Sequence, residues 1–144
     1  VGDDPKVIEY NVRMGDPETE VVLPRLKNDF VEILQAMANR TLDKINIEID
    51  ERAATTIMLV SGGYPEAYEK GKEITGIDAI KNSIPFHAGA QLKDGKVVTS
   101  GGRVMAITSY GNTYQEAIKK SYQSIEKLHF DKMNYRKDIG FDLN

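Results

Sequence analysis

The chain has 144 residues, of which 40% are hydrophobic and 28% charged, enough for one ordinary domain with a hydrophobic core. Nineteen basic against 22 acidic residues give a net charge of -3, which argues against a protein that binds nucleic acid through its phosphate backbone. Cysteine is absent, so disulfides and thiolate metal sites are excluded, as in many proteins of a reducing cytoplasm.

No apolar run approaches the ~18 residues of a membrane span, and the opening VGDDPK does not resemble a signal peptide. We therefore expect a cytoplasmic protein with no membrane partner. The first residue is valine rather than methionine, which favours a processed protein or a fragment of a longer one.

The opening stretch VIEYNV, residues 7–12, alternates two sets of side chains, and this period of two predicts a β-strand. Asp16 resembles a helix N-cap and Pro17 suits the first helical position, so a short helix is predicted directly after the strand. Pro24 is expected to end this helix because proline lacks an amide donor. A linker is expected near residues 22–28.

The middle of the chain alternates helical and extended patterns. Apolar residues recur at helical spacing in LKNDFVEILQAMANR, which predicts a helix that ends near Asn39. INIEID and ATTIMLV predict two strands, the first half-buried and the second followed by a turn at SGGYP. PEAYEKG predicts one or two helical turns, and KEITG predicts a short strand.

The last part of the chain predicts a hairpin, a long strand and the clearest helix. Asp94-Gly95 joins the strand-like runs FHAGAQL and KVVTS, a strong hairpin pattern. Gly101-Gly102 precedes the further strand RVMAITSYG. Thr113 and Glu116 form a capping box at the start of TYQEAIKKSYQSIEKLHF. Together these segments predict an α+β fold in which helices cover an antiparallel sheet.

Glu9 and Asn11 are the residues best suited to binding a ligand. Residues two apart on a strand project to the same face, so this carboxylate and this amide oxygen would lie side by side. Such oxygens suit Mg²⁺, which uses one or two carboxylates while phosphates and water complete its shell. Arg13, on the same face, adds a cation that could neutralise phosphate or carboxylate. Taken by themselves, three polar residues on one strand more often form a solvated sheet face.

Longer stretches of the chain resemble a known family. EYNVRMGDPETEVVLPRL resembles the signature near the end of the ATP-grasp domain in phosphoribosylamine–glycine ligase, also called glycinamide ribonucleotide synthetase. DERAATTIMLVSGGYPEAYEKG, FHAGAQLKDGKVVTSGGRVMAITSYG and YRKDIG resemble successive segments of that family's C-terminal domain, in the same order. The resemblance implies that residues 1–24 end an ATP-grasp domain and residues 25–144 form the C-terminal domain. It also implies a fragment of a longer enzyme.

The resemblance assigns roles to the opening motif. Glu9 and Asn11 match the ligands of the metal that accompanies ATP, with Mg²⁺ or Mn²⁺ as the cofactor. Arg13 matches the arginine of the same motif, and two roles stay open for it. It would either face substrate or phosphate, or form a structural ion pair with Asp16 or Glu18.

The turn Gly15-Asp16-Pro17 also has two compatible roles. It reverses the chain between strand and helix, and its backbone amides are expected to border the substrate pocket. Gly15 and Asp16 are therefore candidate substrate- or phosphate-binding residues. No residue of the chain is assigned as a catalytic acid, base or nucleophile.

The reaction implied by the resemblance joins glycine to 5-phosphoribosylamine, with ATP as co-substrate and ADP and phosphate released, in de novo purine synthesis. The glycine carboxylate would attack the γ-phosphate to give an acyl phosphate, and the amine would then displace phosphate. The parts of the family that grip the nucleotide do not fit before Val7, so the isolated chain is expected to be inactive. Oligomeric state is not predicted.

Two alternatives stay open from the sequence. One is the C-terminal part of another ATP-grasp enzyme, such as a biotin carboxylase or a different purine-pathway ligase, which would share the Glu-x-Asn-x-Arg motif. The other belongs to a different class: a free-standing binding domain without a catalytic role.

Overall fold

The fold is an α+β arrangement of two antiparallel sheets and three helices, seen in a computed structural model that describes Gly2 and residues 5–15 and 17–143. The strands are β1 Ala53–Ser61, β2 Ile84–His87, β3 Ala90–Lys93, β4 Lys96–Thr99, β5 Arg103–Gly111 and β6 Met133–Asn134. The α-helices are α1 Thr19–Val22, α2 Phe30–Ala38 and α3 Tyr114–Ile125, and short 3-10 turns cover Leu23–Arg25, Leu42–Lys44 and Ile77–Ala79.

The larger sheet has four strands in the order β2-β5-β1-β6, and β3 with β4 forms a separate hairpin. The hairpin turns at Asp94 and Gly95, whose φ angles of 50° and 76° are both positive, as a tight two-residue turn requires. The predicted hairpin, the strands β1 and β5, and the α+β class are all confirmed.

One face of the larger sheet packs against α3 and forms the core. β1 and β5 pair antiparallel with Ile57 opposite Ile107 and Leu59 opposite Met105, and all four side chains are at most 1% exposed. Ile125 of α3 is fully buried against them. Burial of a side chain of this size stabilises the fold by about 1.5–3 kcal/mol, so this layer is the main source of stability.

The N-terminus of α3 is capped as predicted. The Thr113 hydroxyl accepts from the Glu116 amide at 3.2 Å, and the Glu116 carboxylate accepts in return from the Asn112 amide at 2.9 Å. The helix ends at Ile125, earlier than the predicted pattern, because His129 instead pairs with Thr75 in a single antiparallel bridge.

A chain of hydrogen-bonded serines, buried except for the half-buried Ser83, joins α3 to β5. The Ser109 hydroxyl lies 2.7 Å from the Ser83 hydroxyl and accepts from the Ser121 hydroxyl at 2.8 Å. The Ser83 hydroxyl also lies 2.6 Å from that of Ser124. Each hydroxyl therefore has a partner inside the protein, which offsets the cost of removing it from water.

The opposite face of the sheet carries residues 17–24. The Thr108 hydroxyl donates to the Glu20 carbonyl at 2.8 Å, and the Tyr110 hydroxyl donates to the Pro24 carbonyl. α1 ends at Val22 and Pro24 lies in the 3-10 turn that follows, so the predicted end of the helix is confirmed.

Helix α2 begins after Asp29, whose carboxylate accepts from the Val31 amide at 2.8 Å, and Asn39 ends it as predicted. Its apolar residues are less buried than the pattern implies. Phe30, Leu34 and Met37 are 46%, 47% and 56% exposed. In the described part of the chain, no helix is both long and apolar enough to cross a membrane.

Several predicted elements are wrong. Residues 7–12 and residues 72–76 are not strands, and residues 65–71 are not helical. Among the described residues, the first of these segments has no neighbouring strand to satisfy its backbone and the second forms only single bridges, so neither builds a ladder. Residues 45–50 also form no strand beyond one bridge, because the Asn28 side chain takes backbone bonds of Asn46 and Glu48 there.

Candidate functional site

The predicted ligand residues lie on one exposed side of the opening segment. The Asn11 amide nitrogen donates to the Glu9 carboxylate at 3.1 Å, and the Arg13 guanidinium donates to the Asn11 side-chain oxygen at 2.7 Å. The three side chains are therefore neighbours, although the segment is extended without being part of a sheet. The two bonds also fix the orientation of the Asn11 amide, with its NH₂ group toward Glu9 and its oxygen toward Arg13.

The described contacts of Arg13 involve neutral acceptors. Besides Asn11, the guanidinium donates to the Met14 carbonyl at 3.1 Å. The Glu18 carboxylate accepts from the Gly15 amide at 2.6 Å, and among the described residues it forms no ion pair with Arg13. Asp16 lies outside the described residues. The choice between an anionic ligand and an ion pair with Asp16 therefore stays open for Arg13.

The turn after Arg13 is shaped by Gly15. Its amide donates to the Glu18 carboxylate, and a Cβ at this position would lie 2.7 Å from the Glu18 carboxyl carbon. A side chain at this position would push the flexible end of Glu18 away and disturb its bond to the Gly15 amide. The helix begins at Thr19, so Pro17 precedes it and does not hold the predicted first helical position. The predicted N-cap, Asp16, again lies outside the described residues.

A cavity of about 270 Å³ lies between this turn and the sheet. Arg13 and Gly15 line it from the turn, Met58 from β1, and Ala88 and Arg103 from the two segments that flank the hairpin. The cavity therefore joins residues of the opening motif to residues of the sheet that are far from it in sequence. The prediction that the turn borders a pocket agrees with this geometry; binding of substrate by Gly15 or Asp16 stays a prediction.

Arg103 is one of the cavity residues that the sequence did not indicate. Gly89 holds its backbone: the Gly89 amide donates to the Arg103 carbonyl at 2.7 Å, and the Gly89 carbonyl accepts from the Ser100 and Gly101 amides at 2.7 and 3.1 Å. A Cβ on Gly89 would lie 2.5 Å from the Arg103 oxygen. Neither HAGA nor SGGR matches a phosphate-binding loop. Their glycines are the sequence signal for a close approach of two backbones, because glycine has no side chain to prevent it.

The β1–β5 pairing is irregular where β1 meets Arg103. The β1–β5 pairing shifts between Leu59 and Val60, so that Val60 lies opposite Arg103. An irregularity of this kind bends the strand and turns a side chain toward a new direction. Arg103 is therefore held on both sides at the start of β5.

Charged groups lie close to Tyr110, whose hydroxyl donates to the Pro24 carbonyl. Arg52 lies over the Tyr110 ring, 4.4 Å from its centre, and also pairs with Asp50 at 2.6 Å. The Arg52 guanidinium holds the pKa of the Asp50 carboxyl well below its usual range. Burial raises the pKa of Tyr110, so its hydroxyl stays protonated and able to donate to Pro24.

The donor set of the opening motif suits a divalent cation only as part of a larger site. Among the residues that the structure describes, no group of three or more His, Cys, Asp or Glu side chains could hold a metal. Glu9 and Asn11 supply two adjacent hard oxygens, and each oxygen that accepts a hydrogen bond here retains a second lone pair. The pair fits Mg²⁺ or Mn²⁺ when phosphates, water or other chains complete the shell.

The fold and site define a class: an α+β domain preceded by an extended oxygen-ligand motif, with a polar cavity between the two. Comparison with known proteins makes this specific. Residues 54–142 match the family described as phosphoribosylglycinamide synthetase, C domain. The chain belongs to this family.

Similar proteins extend the match to nearly the whole chain. A phosphoribosylamine–glycine ligase of Caldanaerobacter subterraneus is 46% identical over 136 residues, which cover 94% of this chain and 33% of that protein. A bifunctional purine biosynthetic protein of Schizosaccharomyces pombe is 49% identical over 138 residues, covering 94% of this chain and 17% of that protein. The chain thus spans a third or less of the length of these curated relatives.

A solved structure shows the same fold. The crystal structure of phosphoribosylamine–glycine ligase from Thermotoga maritima superposes with a TM-score of 0.73 at 41% sequence identity. The superposition covers 94% of this chain and 33% of that one. It confirms the predicted fold class and the family resemblance on which the sequence analysis relied.

Proposed function

We propose that this chain is the C-terminal part of a ligase that joins glycine to 5-phosphoribosylamine, with hydrolysis of ATP to ADP and phosphate, in purine biosynthesis. The observation that carries the proposal is the linked row of Glu9, Asn11 and Arg13 beside the cavity that Arg13 also lines. The names of the relatives support it and favour this ligase over a carboxylase. In this proposal, residues 1–24 complete an ATP-grasp domain, residues 25–144 form the C-terminal domain, and the enzyme acts in the cytoplasm.

Glu9 and Asn11 would hold the divalent cation, Mg²⁺ or Mn²⁺, that accompanies ATP. When bound, the cation neutralises phosphate charge so that a carboxylate can approach the triphosphate. Glu9 contributes the negative charge that attracts the cation, and Asn11 contributes a neutral oxygen. The hydrogen bond from Arg13 keeps the Asn11 oxygen on its side of the segment, so Arg13 orients a ligand as well as carrying positive charge.

The test is made in a full-length ligase that contains this chain. Glu9→Gln keeps the shape of the side chain and removes its charge, so turnover should fall by about 100-fold or more, and the Mg²⁺ concentration for half-maximal rate should rise. Glu48→Gln is the matched control, because Glu48 is an exposed glutamate whose described bonds are made by its backbone. A Glu9→Gln enzyme with the turnover and Mg²⁺ response of the control would refute the assignment.

The isolated chain is expected to lack ligase activity. It offers two of the about six ligands that Mg²⁺ requires, and the relatives devote two thirds or more of their length to other parts. Glycine-dependent release of ADP by the purified 144-residue chain would contradict this expectation.

A further inference from the structure

We propose that the free edge of β1 pairs with an extended segment from the part of the ligase that lies outside this chain, so that the larger sheet continues past β1. The inference goes beyond the proposed function and rests on it, because the partner segment belongs to the full-length ligase. It assigns an interaction surface to residues 53–59.

β1 has a neighbouring strand on each side, but the two neighbours differ in length. β5 pairs with it from Ala53 to Val60, whereas β6 pairs with it at Val60 and Ser61. Among the described residues, no other segment forms a backbone hydrogen bond or bridge to residues 53–59. One edge of β1 is therefore open over these residues.

The alternation along the strand determines which groups face the open edge. In an antiparallel pair, every second residue directs its backbone groups to the partner strand and the others direct theirs away from it. The Ser61 amide donates at 2.8 Å to the carbonyl of Gly102, which directly precedes β5. The shifted register skips Val104 of β5, so the alternation along β1 is not interrupted. The residues whose backbone amides and carbonyls point to the open edge are therefore Ala54, Thr56 and Met58.

The open edge lies in a slot of about 450 Å³ between two layers of the protein. Val21 of α1 lines the slot from one side and Ile139 of the C-terminal segment lines it from the other. The Tyr122 hydroxyl of α3 holds this segment, because it donates to the Arg136 carbonyl at 2.9 Å and accepts from the Ile139 amide at 3.3 Å. A space along a strand edge with walls on both sides suits an extended segment that adds to the sheet.

The lining of the slot favours an uncharged partner segment. Both of its charged side chains already have partners: the Glu18 carboxylate accepts from the Gly15 amide, and Arg136 pairs with Asp138 at 2.9 Å. The other lining residues are apolar or carry hydroxyls. Among the described residues, the buried Thr55 hydroxyl in this lining has no hydrogen-bond partner, and a neighbouring segment would satisfy it.

β1 also lacks the residues that prevent a strand edge from pairing. Natural edge strands are protected by charged side chains or proline. β2, at the other edge of the sheet, has Pro85 among its four residues. The sequence AATTIML of residues 53–59 has neither a charge nor a proline. An unprotected edge of this kind indicates a covered strand, and the relatives have two thirds or more of their length outside the matched region to cover it.

The experiment measures amide hydrogen exchange at single residues in the full-length ligase. The amides of Thr55 and Ile57 point to β5 and are the internal references. With a strand added, the Thr56 and Met58 amides should exchange more than about hundredfold more slowly than in an unfolded peptide. Thr56→Pro removes one amide of the edge and should speed exchange at Met58 about tenfold, the loss of one hydrogen bond. Thr56→Val, which keeps the amide and loses the same hydroxyl, is the matched control and should leave Met58 unchanged.

Each outcome decides for or against the added strand. Slow exchange at Thr56 and Met58 that persists on dilution supports it. Fast exchange there, beside slow exchange at Thr55 and Ile57, overturns it. Slow exchange that is lost on dilution also overturns it, because the partner is then a second copy of the protein. The exchange rates do not depend on turnover, and the Mg²⁺ response of Glu9→Gln tests the proposed function separately, so the two failures are distinguishable.

Discussion

Replacing Ser109 with alanine should destabilise the domain by an amount set by its hydrogen bonds. The Ser109 hydroxyl bonds with Ser83 at 2.7 Å and with Ser121 at 2.8 Å, so two bonds are lost. Both neighbours keep another partner: Ser121 donates to the Ile107 carbonyl at 3.3 Å, and Ser83 remains bonded to Ser124. No buried hydroxyl is left unsatisfied, so the cost is about 1 kcal/mol per bond, or about 2 kcal/mol in total.

Urea unfolding followed by circular dichroism measures this free energy, and thermal unfolding should show a midpoint lower by about 4–8 °C. Ser124→Ala is the matched control, because the Ser124 hydroxyl makes one described bond, to Ser83, and its loss should cost about half as much. If Ser109→Ala costs no more than Ser124→Ala, the serine chain does not stabilise the α3–β5 contact as the distances indicate.

Three further perturbations test other parts of the fold. Thr113→Ala removes the cap of α3 and should lower the free energy of unfolding by about 1 kcal/mol in urea, whereas Thr113→Ser should be near neutral. Gly89→Ala places a Cβ 2.5 Å from the Arg103 carbonyl oxygen and should cost about 1–3 kcal/mol by the same assay; an unchanged midpoint would show that the backbones are not so close. Arg52 lowers the pKa of Asp50, so the stability from this pair is present above the unfolded value of about 4 and is lost as the pH falls below it. Asp50→Asn should therefore give a shallower loss of stability than the wild type in urea titrations between about pH 6 and pH 2, and parallel curves would count against the pair.

Part of the candidate site could be predicted from local sequence. The spacing of two residues between Glu9, Asn11 and Arg13 places their side chains on one side of any extended backbone. They are therefore neighbours in the structure although the predicted strand over residues 7–12 is absent. The cavity could not be predicted from local sequence, because Arg103 and Ala88 line it together with Gly15, which is distant in the chain. No local pattern encodes a contact between residues so far apart in the chain.

Sequence alone determined the elements whose stabilising contacts are local or whose burial pattern is strong. The Asp94-Gly95 turn, the Thr113 cap and the apolar run of β1 each carry their own physical cause. Tertiary structure decided which extended segments became strands, because a strand needs a neighbour for its backbone groups and residues 7–12 have none in the part of the chain that the structure describes. Tertiary structure also decided that Ser109 is buried. In sequence a serine is expected at the surface, and burial of its hydroxyl is tolerated here because other hydroxyls form hydrogen bonds with it.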